Sequence, residues 1–302
     1  MSLVEKFVWT TDTHTNDSVN WPNYMRSICQ WVKDNAAERK IKAFIHTGDF
    51  VTLGDATSFA QCAADIALLP IPPEWLPGNH DADTGTTGED RNTARLNTYL
   101  PISLKTALIA AYDPTKCDNT ASMVTIGGRQ YLLLSLEFCP RDPIVAWADA
   151  LVKSYPTTDV ILGTHSFLAS AAGRETPLTP SYCHTLVVNG SAGDQLWLDF
   201  VQVNSNIRIV LSGHLNIPGL GSPFGAYRLD VRSDGSRCHQ FGYNFQSFGA
   251  ATSSAYTYHG IGGTAFLFEF ELDHINNTLR LTGWNPAHNL ALPGGNVFVR
   301  LD

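Results

Sequence analysis

Long apolar runs are missing from this 302-residue chain. Nowhere do about 18 apolar residues follow one another, so no membrane-spanning helix is expected. Basic residues are scarce, 20 Lys and Arg against 28 Asp and Glu, giving a formal net charge of -8. A protein that grips nucleic acid by its phosphates needs a basic face, so general nucleic-acid binding is not expected, though a local basic pocket for one phosphate stays open. The cysteines Cys29, Cys62, Cys117, Cys139, Cys183 and Cys238 include no Cys-x-x-Cys pair, which leaves a zinc ribbon or a thioredoxin-type motif unsupported. A disulfide or two and a set of buried free thiols are both open, and spacing assigns no pairing. Low-complexity linkers and internal repeats are absent too, so a single domain over residues 1–302 is the simplest account. The start Met1-Ser2-Leu3-Val4-Glu5-Lys6 lacks a basic region and a cleavage site, so no signal peptide is expected and a soluble, cytoplasmic protein is the default. If Met1-Ser2-Leu3 is a scar left by a removed leader, the location becomes extracytoplasmic.

What is present suits a sizeable core: 44% hydrophobic residues against 16% charged. Apolar strands alternate with amphipathic helices. Strands are expected over 7–10, 42–46, 121–126, 130–136, 159–162 and 207–211, and a short one reaching Trp75-Leu76. Helices are expected over 23–39, 57–69, 144–154 and near 193–204. Gly127-Gly128 signals a hairpin, and the polar stretch 82–98 reads as a loop. Towards the C-terminus Phe268, Phe270 and Leu272 alternate with Glu269 and Glu271, the pattern of a half-solvated strand, and Asn276-Asn277 turns the chain into 278–282. Antiparallel strands from about 263 to 300 are therefore expected to end the fold.

Five segments share one design, an apolar strand followed at once by metal-capable side chains. They are Asp12-Thr13-His14, Gly48-Asp49, Gly78-Asn79-His80-Asp81, Gly163-Thr164-His165 and Gly213-His214-Leu215-Asn216. Ligands bind at the carboxyl ends of strands in an α/β sheet, so these side chains can converge on one cleft. Hydrolysing a phosphate ester brings an anionic nucleophile to an anionic centre. Two metals about 3.5–4 Å apart neutralise the phosphoryl oxygens and lower the pKa of water towards about 7. A carboxylate can bridge them, imidazole and amide oxygen fill the other positions, and a neighbouring His can protonate the leaving alkoxide. Each piece alone is weak, since a lone His at a strand end is more often a satisfied polar group. Their order and shared context make the signal.

On these motifs, from Asp12 to Asn216, the sequence resembles the calcineurin-like metallophosphoesterase family, which shares its fold with purple acid phosphatases and protein phosphatases. The stretch 238–263, with Asn244-Phe245-Gln246, and then 263–282 also look like the C-terminal strands of its extracytoplasmic-type members, so the resemblance spans nearly the whole chain. It implies an α/β fold with a central β-sandwich of two mixed sheets flanked by helices, in four α/β/β/α layers. It implies that Asp12 and His14 bind a first metal, that Asp49 bridges, and that Asn79, His165 and His214 bind a second. The cofactors would be divalent ions, Mn, Fe, Zn or Mg. A metal-bridging hydroxide would be the nucleophile and His80 the leaving-group acid, acting on a small or extended phosphate ester.

The family pattern is broken twice. Asn216 stands where a second His usually completes the first metal site, and an amide oxygen is the harder, poorer donor. A two-metal centre, a single metal at the second position, and a weakened or inactive scaffold serving as a binding module all stay open. Thr52 stands where protein phosphatases of this superfamily carry an Asp that orients the acid, and no Arg-Gly follows, so a Ser/Thr protein phosphatase is not expected. Asp81 neighbours His80, but adjacent residues on an extended turn usually point apart.

His46 reads as a core residue supporting the site, while His184, His239, His259, His274 and His288 read as surface or loop histidines. Asp55 and Asp83 read as solvated turn residues. One of Arg91, Arg95, Arg141 and Arg174 can clamp the phosphate. The loops 82–98, 166–191 and 249–262 are expected to choose the substrate, and Tyr256-Thr257-Tyr258-His259 is either a groove lining or plain surface.

Overall fold

The computed structural model describes residues 4–15, 24–84, 91–169, 173–177, 189–215, 225–244, 266–287 and 289–301. Its first part runs β1 (Val4–Thr10), α1 (Tyr24–Arg39), β2 (Ile41–His46), α2 (Ala56–Ile66), β3 (Pro73–Trp75) and α3 (Ala94–Tyr99). Then come β4 (Leu108–Ala111), β5 (Thr120–Ile126), β6 (Arg129–Leu136), α4 (Asp142–Ser154) and β7 (Asp159–Thr164). A short α5 (Gly193–Leu196) widens into a π-type turn (Trp197–Val201) before β8 (Ile207–Ser212). The chain closes with β9 (Ala226–Val231), β10 (Arg237–Gly242), β11 (Leu267–Asp273), β12 (Thr278–Asn285) and β13 (Leu290–Arg300).

Two mixed sheets result. One has the order β13-β12-β11-β1-β2-β3 and the other β4-β5-β6-β7-β8-β10-β9. Parallel pairing joins β1, β2 and β3 in the first and β6, β7, β8 and β10 in the second. The expected C-terminal strands are antiparallel and pack beside the first strand, β11 pairing with β1.

Side-chain alternation sorts the apolar residues into layers. Phe7, Trp9, Ala43 and Ile45 of the first sheet face Leu133, Ile161, Ile209 and Phe241 of the second, forming the core between the sheets. Their chain neighbours Val8 and Phe44 point the other way, onto Met25, Ile28 and Val32 of α1 and Phe59 of α2. Leu132, Leu134, Val160 and Leu162 likewise point outward onto Ile144, Ala148 and Val152 of α4. The order is helix, sheet, sheet, helix, the expected four layers. Strands buried on both faces read as unbroken apolar runs, which is why β2, β6 and β7 were plain in the sequence.

Local chemistry sets the boundaries. Asp55 caps α2, its carboxylate accepting the Ser58 amide at 2.9 Å, so it is a helix cap and not merely a solvated turn residue. Gly127 and Gly128, with φ of 61° and 79°, supply the two left-handed residues of a tight hairpin between β5 and β6. The stretch 82–98, read as loop, contains the start of α3, whose Leu96 is buried. The strand expected to be half-solvated keeps partial exposure at Glu271 but not at Glu269. Glu269 of β11 is buried and takes both Arg39 of α1 and Lys6, because helix α1 covers that face. Strands β4 and β9 had no clear sequence signal, β4 being only four residues long and β9 carrying Arg228 and Asp230 among its apolar residues.

Cys29, Cys62, Cys117 and Cys238 are buried free thiols, and Cys139 takes part in a disulfide. Among the described residues no helix is long and apolar enough to cross a membrane.

Candidate metal centre

The parallel strands of both sheets end at one mouth of the sandwich, and the chain continues there as tight loops. Beyond β1 and β2 the two loops track each other: Asp12 N donates to Gly48 O at 2.9 Å, His14 N to Asp49 O at 3.1 Å and Thr15 N to Phe50 O at 2.7 Å. Across the sandwich, His165 Nδ1 lies 2.7 Å from the Thr47 carbonyl and His214 N lies 3.3 Å from Asp12 Oδ2. These bonds tie the ends of β7 and β8 to those of β1 and β2.

Among the described residues, six side chains meet there. Asp49 is shared: its Oδ2 is 3.5 Å from His14 Nε2 and 3.2 Å from His165 Nε2. One group, Asp12, His14 and Asp49, and a second, Asp49, His165 and His214, each bring their ligand atoms within 4.8 Å of one another. Asn79 Oδ1 joins the second, 3.2 Å from His165 Nε2. Glycine makes the approach feasible. A Cβ at Gly78 would fall onto the Asp49 carboxylate, and one at Gly213 onto Thr11 Oγ1 and Asp12 Oδ2.

A model of the family described as calcineurin-like phosphoesterase matches residues 5–218, more than half of the chain. The chain belongs to this family.

This calcineurin-like phosphoesterase is 25% identical over 212 residues, 69% of its length, to the uncharacterized protein YvnB of Bacillus subtilis (strain 168). It spans only 15% of that relative. Among solved structures, the purple acid phosphatase PPD1 of yellow lupin (Lupinus luteus) shares the fold with a TM-score of 0.57 at 12% identity, over 99% of this chain and 54% of that one. The NAD nucleotidase NadN of Haemophilus influenzae aligns with a TM-score of 0.47 at 12% identity, over 98% of this chain and 49% of that one.

The electrostatics of the cluster suit a cation. Burial pushes the Asp12 carboxyl up to about 7, and the charge of Asp49 adds to it, against the pull of His165. Burial would also raise Asp49, but the charge and hydrogen bond of His165, with His80 and His14, hold it below the usual carboxylate range. Burial disfavours charge on His165, yet Asp49 and Asp12 outweigh this and lift it to about 9. His214, desolvated by its surroundings and facing His165, falls to about 3. Thus a protonated His165 balances the buried carboxylates in the protein alone. A divalent cation can take over that charge, and oxygen and imidazole donors of this kind fit such ions.

His80 sits beside this cluster, its ring edge-on to His14 with centroids 5.0 Å apart. Its amide donates to Asp49 Oδ1 at 2.9 Å and its Nδ1 lies 2.8 Å from the Thr52 carbonyl. That bond places the Nδ1 proton and leaves Nε2 as the working nitrogen. Burial lowers its pKa, but Asp49 and the Thr52 carbonyl more than offset this, so it titrates above the usual histidine range. At the position where an Asp was expected in protein phosphatases, Thr52 thus offers His80 its backbone carbonyl, and Thr52 Oγ1 turns to His14 Nδ1 at 3.3 Å.

Asp81 does not pair with His80. Its carboxylate accepts the amides of Asp49, Phe50 and Val51 at 2.8, 2.9 and 3.3 Å and that of Gly78 at 2.8 Å. His46 is buried as expected. It accepts the Gly48 amide at 3.2 Å, bonds Thr13 Oγ1 at 3.0 Å and stacks on Phe50.

Asn216, His184, His259, His288 and the segment 256–259 lie outside the described residues. His239, read as a surface residue, is buried on β10 and bonds Tyr227 OH at 3.1 Å, because that strand is internal to its sheet. His274 is partly buried, against the Ile126 carbonyl at 3.1 Å. Asp83 accepts the Arg95 amide at 3.0 Å.

All four arginines considered as phosphate clamps bond to protein groups. Arg91 and Arg141 both hold Glu137, Arg95 holds the Gly54 and Asp83 carbonyls, and Arg174 holds Asp230 and Gln240 while lying over Trp197. Phe138 was missed. Its ring packs against His165 and His214, with centroids 5.7 and 5.3 Å away. It follows β6 as the ligands follow their strands, so the strand-end pattern, extended to Glu137-Phe138, would have found it.

Proposed function

We propose that this chain is a metal-dependent hydrolase of phosphate esters, monoesters or diesters. The sharing of Asp49 carries this reading: one buried carboxylate lies within reach of imidazoles from both sheets, as a ligand common to two cations must. Asp12 and His14 would complete the first position, and Asn79, His165 and His214 the second. The motif assigns Asn216 to the first. Divalent ions held there would neutralise the phosphoryl oxygens and acidify an attacking water.

The chain's own groups do the rest. His80, its Nδ1 held by the Thr52 carbonyl and its charge supported by Asp49, keeps a proton on Nε2 for the leaving alkoxide. Asp81 and His46 fix the loop that carries Asp49, so the carboxylate does not have to reorganise during the reaction. A scaffold that merely bound a partner would have no use for an acid poised in this way.

The test is metal analysis of the purified protein, with rates on nitrophenyl phosphate and bis-nitrophenyl phosphate in Mn, Ni, Zn and Mg. Bound divalent metal with turnover of at least one ester is expected, and the ratio of the two rates separates monoesterase from diesterase. No metal and no turnover with any of the four ions would sink the reading.

A further inference from the structure

Beside Asn79 the mouth of the sandwich holds a small open recess of about 30 Å³. Pro77, Ala82 and Phe138 give it apolar walls, and Arg91, Glu137 and Asp118 are its charged groups. Asn79 belongs both to this lining and to the metal cluster, so a phosphate held at the metals would extend its organic part into the recess.

The charged groups differ in what they have left to offer. Arg91 donates to Glu137 Oε1 at 2.9 Å, the Phe138 carbonyl at 2.9 Å and the Cys139 carbonyl at 2.7 Å. Glu137 is saturated: besides Arg91 it accepts Arg141 Nε at 2.8 Å, Arg141 Nη2 at 3.0 Å and Asn119 Nδ2 at 3.0 Å. Asp118 is different. It accepts only Thr93 Oγ1 at 2.7 Å and Asn97 Nδ2 at 2.9 Å, and a carboxylate has about four lone-pair sites. Spare acceptor capacity in the recess therefore resides at Asp118.

We propose that this recess is the subsite for the organic part of the ester, and that Asp118 selects a small hydroxylated one, a short polyol, by accepting its hydroxyl. The inference rests on the hydrolase reading and adds the substrate class to it. A second anionic group would meet the carboxylate of Asp118, which pairs with no cation among the described residues, so polyphosphate esters are disfavoured. An ammonium group would meet the guanidinium of Arg91, so a neutral donor fits better than a cationic one. The apolar walls suit the carbon face of such a group.

Two non-hydrolysable ligands test this on the manganese-loaded full chain by titration calorimetry: butylphosphonate and 3,4-dihydroxybutylphosphonate. The dihydroxy compound is expected to bind about tenfold tighter, the scale of one hydrogen bond to a carboxylate, and Asp118→Asn should cut that advantage below about threefold. Equal binding of the two by the wild-type protein would overturn the inference while leaving the hydrolase reading intact, as would an undiminished advantage in folded Asp118→Asn. A 3-aminopropylphosphonate that outbinds the diol would overturn it in favour of a cationic substrate. If neither alkyl phosphonate binds and no ester is hydrolysed, the hydrolase reading fails and this one fails with it. The wild-type comparison decides even if the variant does not fold.

Discussion

Asp12, His14, Asp49 and His214 all hold left-handed backbones, with φ of 49°, 42°, 58° and 55°. Residues with side chains avoid this region, at a cost of about 1 kcal/mol or more each. Here the strain turns each donor from its strand end into the common cluster. Buried carboxylates add to the cost. Asp12 titrates near 7 against an ordinary 3.8, and His165 near 9 against 6.5. Both values are raised, so the native protein without metal holds protons that the unfolded chain has released. Between pH 7 and 9 its stability should fall as the His165 proton is lost. Metal ligands must be deprotonated, so metal affinity should instead rise across the same window, with proton release. Metal-free melting curves and calorimetry of metal binding in buffers of different ionisation enthalpy check both signs. No proton release near pH 7.5 would contradict the assignment. His80 predicts a different split. His80→Gln should retain the metals yet lose about 10²–10⁴-fold in turnover of alkyl esters, whose leaving groups need the proton, with a smaller loss on nitrophenyl esters. Equal losses on both substrates would remove it as the acid.

At the scale of elements, the loop after β2 is the piece on which the site depends. One carboxylate, Asp81, satisfies the amides of Asp49, Phe50, Val51 and Gly78, so the loops after β2 and β3 are locked together. Removing it would leave buried donors unsatisfied, each costing about 1–3 kcal/mol. Asp81→Ala should therefore lower stability by about 2–4 kcal/mol in urea melts and lose metal, although Asp81 is no ligand. Gly213→Ala tests the close approach of the loop after β8 to that after β1. Its Cβ would collide with Thr11 and Asp12, and the overpacking should cost about 1–3 kcal/mol and weaken metal binding. A variant with wild-type melting and wild-type metal content would show that the loops can relax.

On the scale of the whole molecule, the two sheets are joined by an apolar core and, near β3 and β5, by a buried ion pair. Lys105 Nζ meets Glu74 Oε1 and the Trp75 carbonyl, both at 2.6 Å, and also Thr120 Oγ1, while Ser122 bonds the other Glu74 oxygen. Glu74 lies on β3 of one sheet and Thr120 and Ser122 on β5 of the other, so the cluster pins one sheet to the other. Lys105→Met should cost about 3–5 kcal/mol because it strands a buried carboxylate. Adding Glu74→Gln should recover part of that loss. Equal destabilisation by the single and double variants would mean that the pair acts through shape and not charge.

The strands buried on both faces, the helices with one apolar stripe and the donors at five strand ends were all legible in the amino-acid order. Each of these is a local pattern, an apolar period or a short motif such as Gly78-Asn79-His80-Asp81. Tertiary structure decided the rest, because it depends on which strands become neighbours. Period-two alternation made Glu269 look solvated until α1 covered it and supplied Arg39. His239 looked like a surface residue until β9 flanked β10. Asp81 looked like a possible partner for His80, and only the approach of the loops after β2 and β3 made it their common anchor. The spare lone pairs of Asp118 follow from contacts with Thr93 and Asn97, more than 20 residues away in the chain. Periodicity records burial against a strand's own sheet, but not what arrives later from a distant segment to bury or charge it.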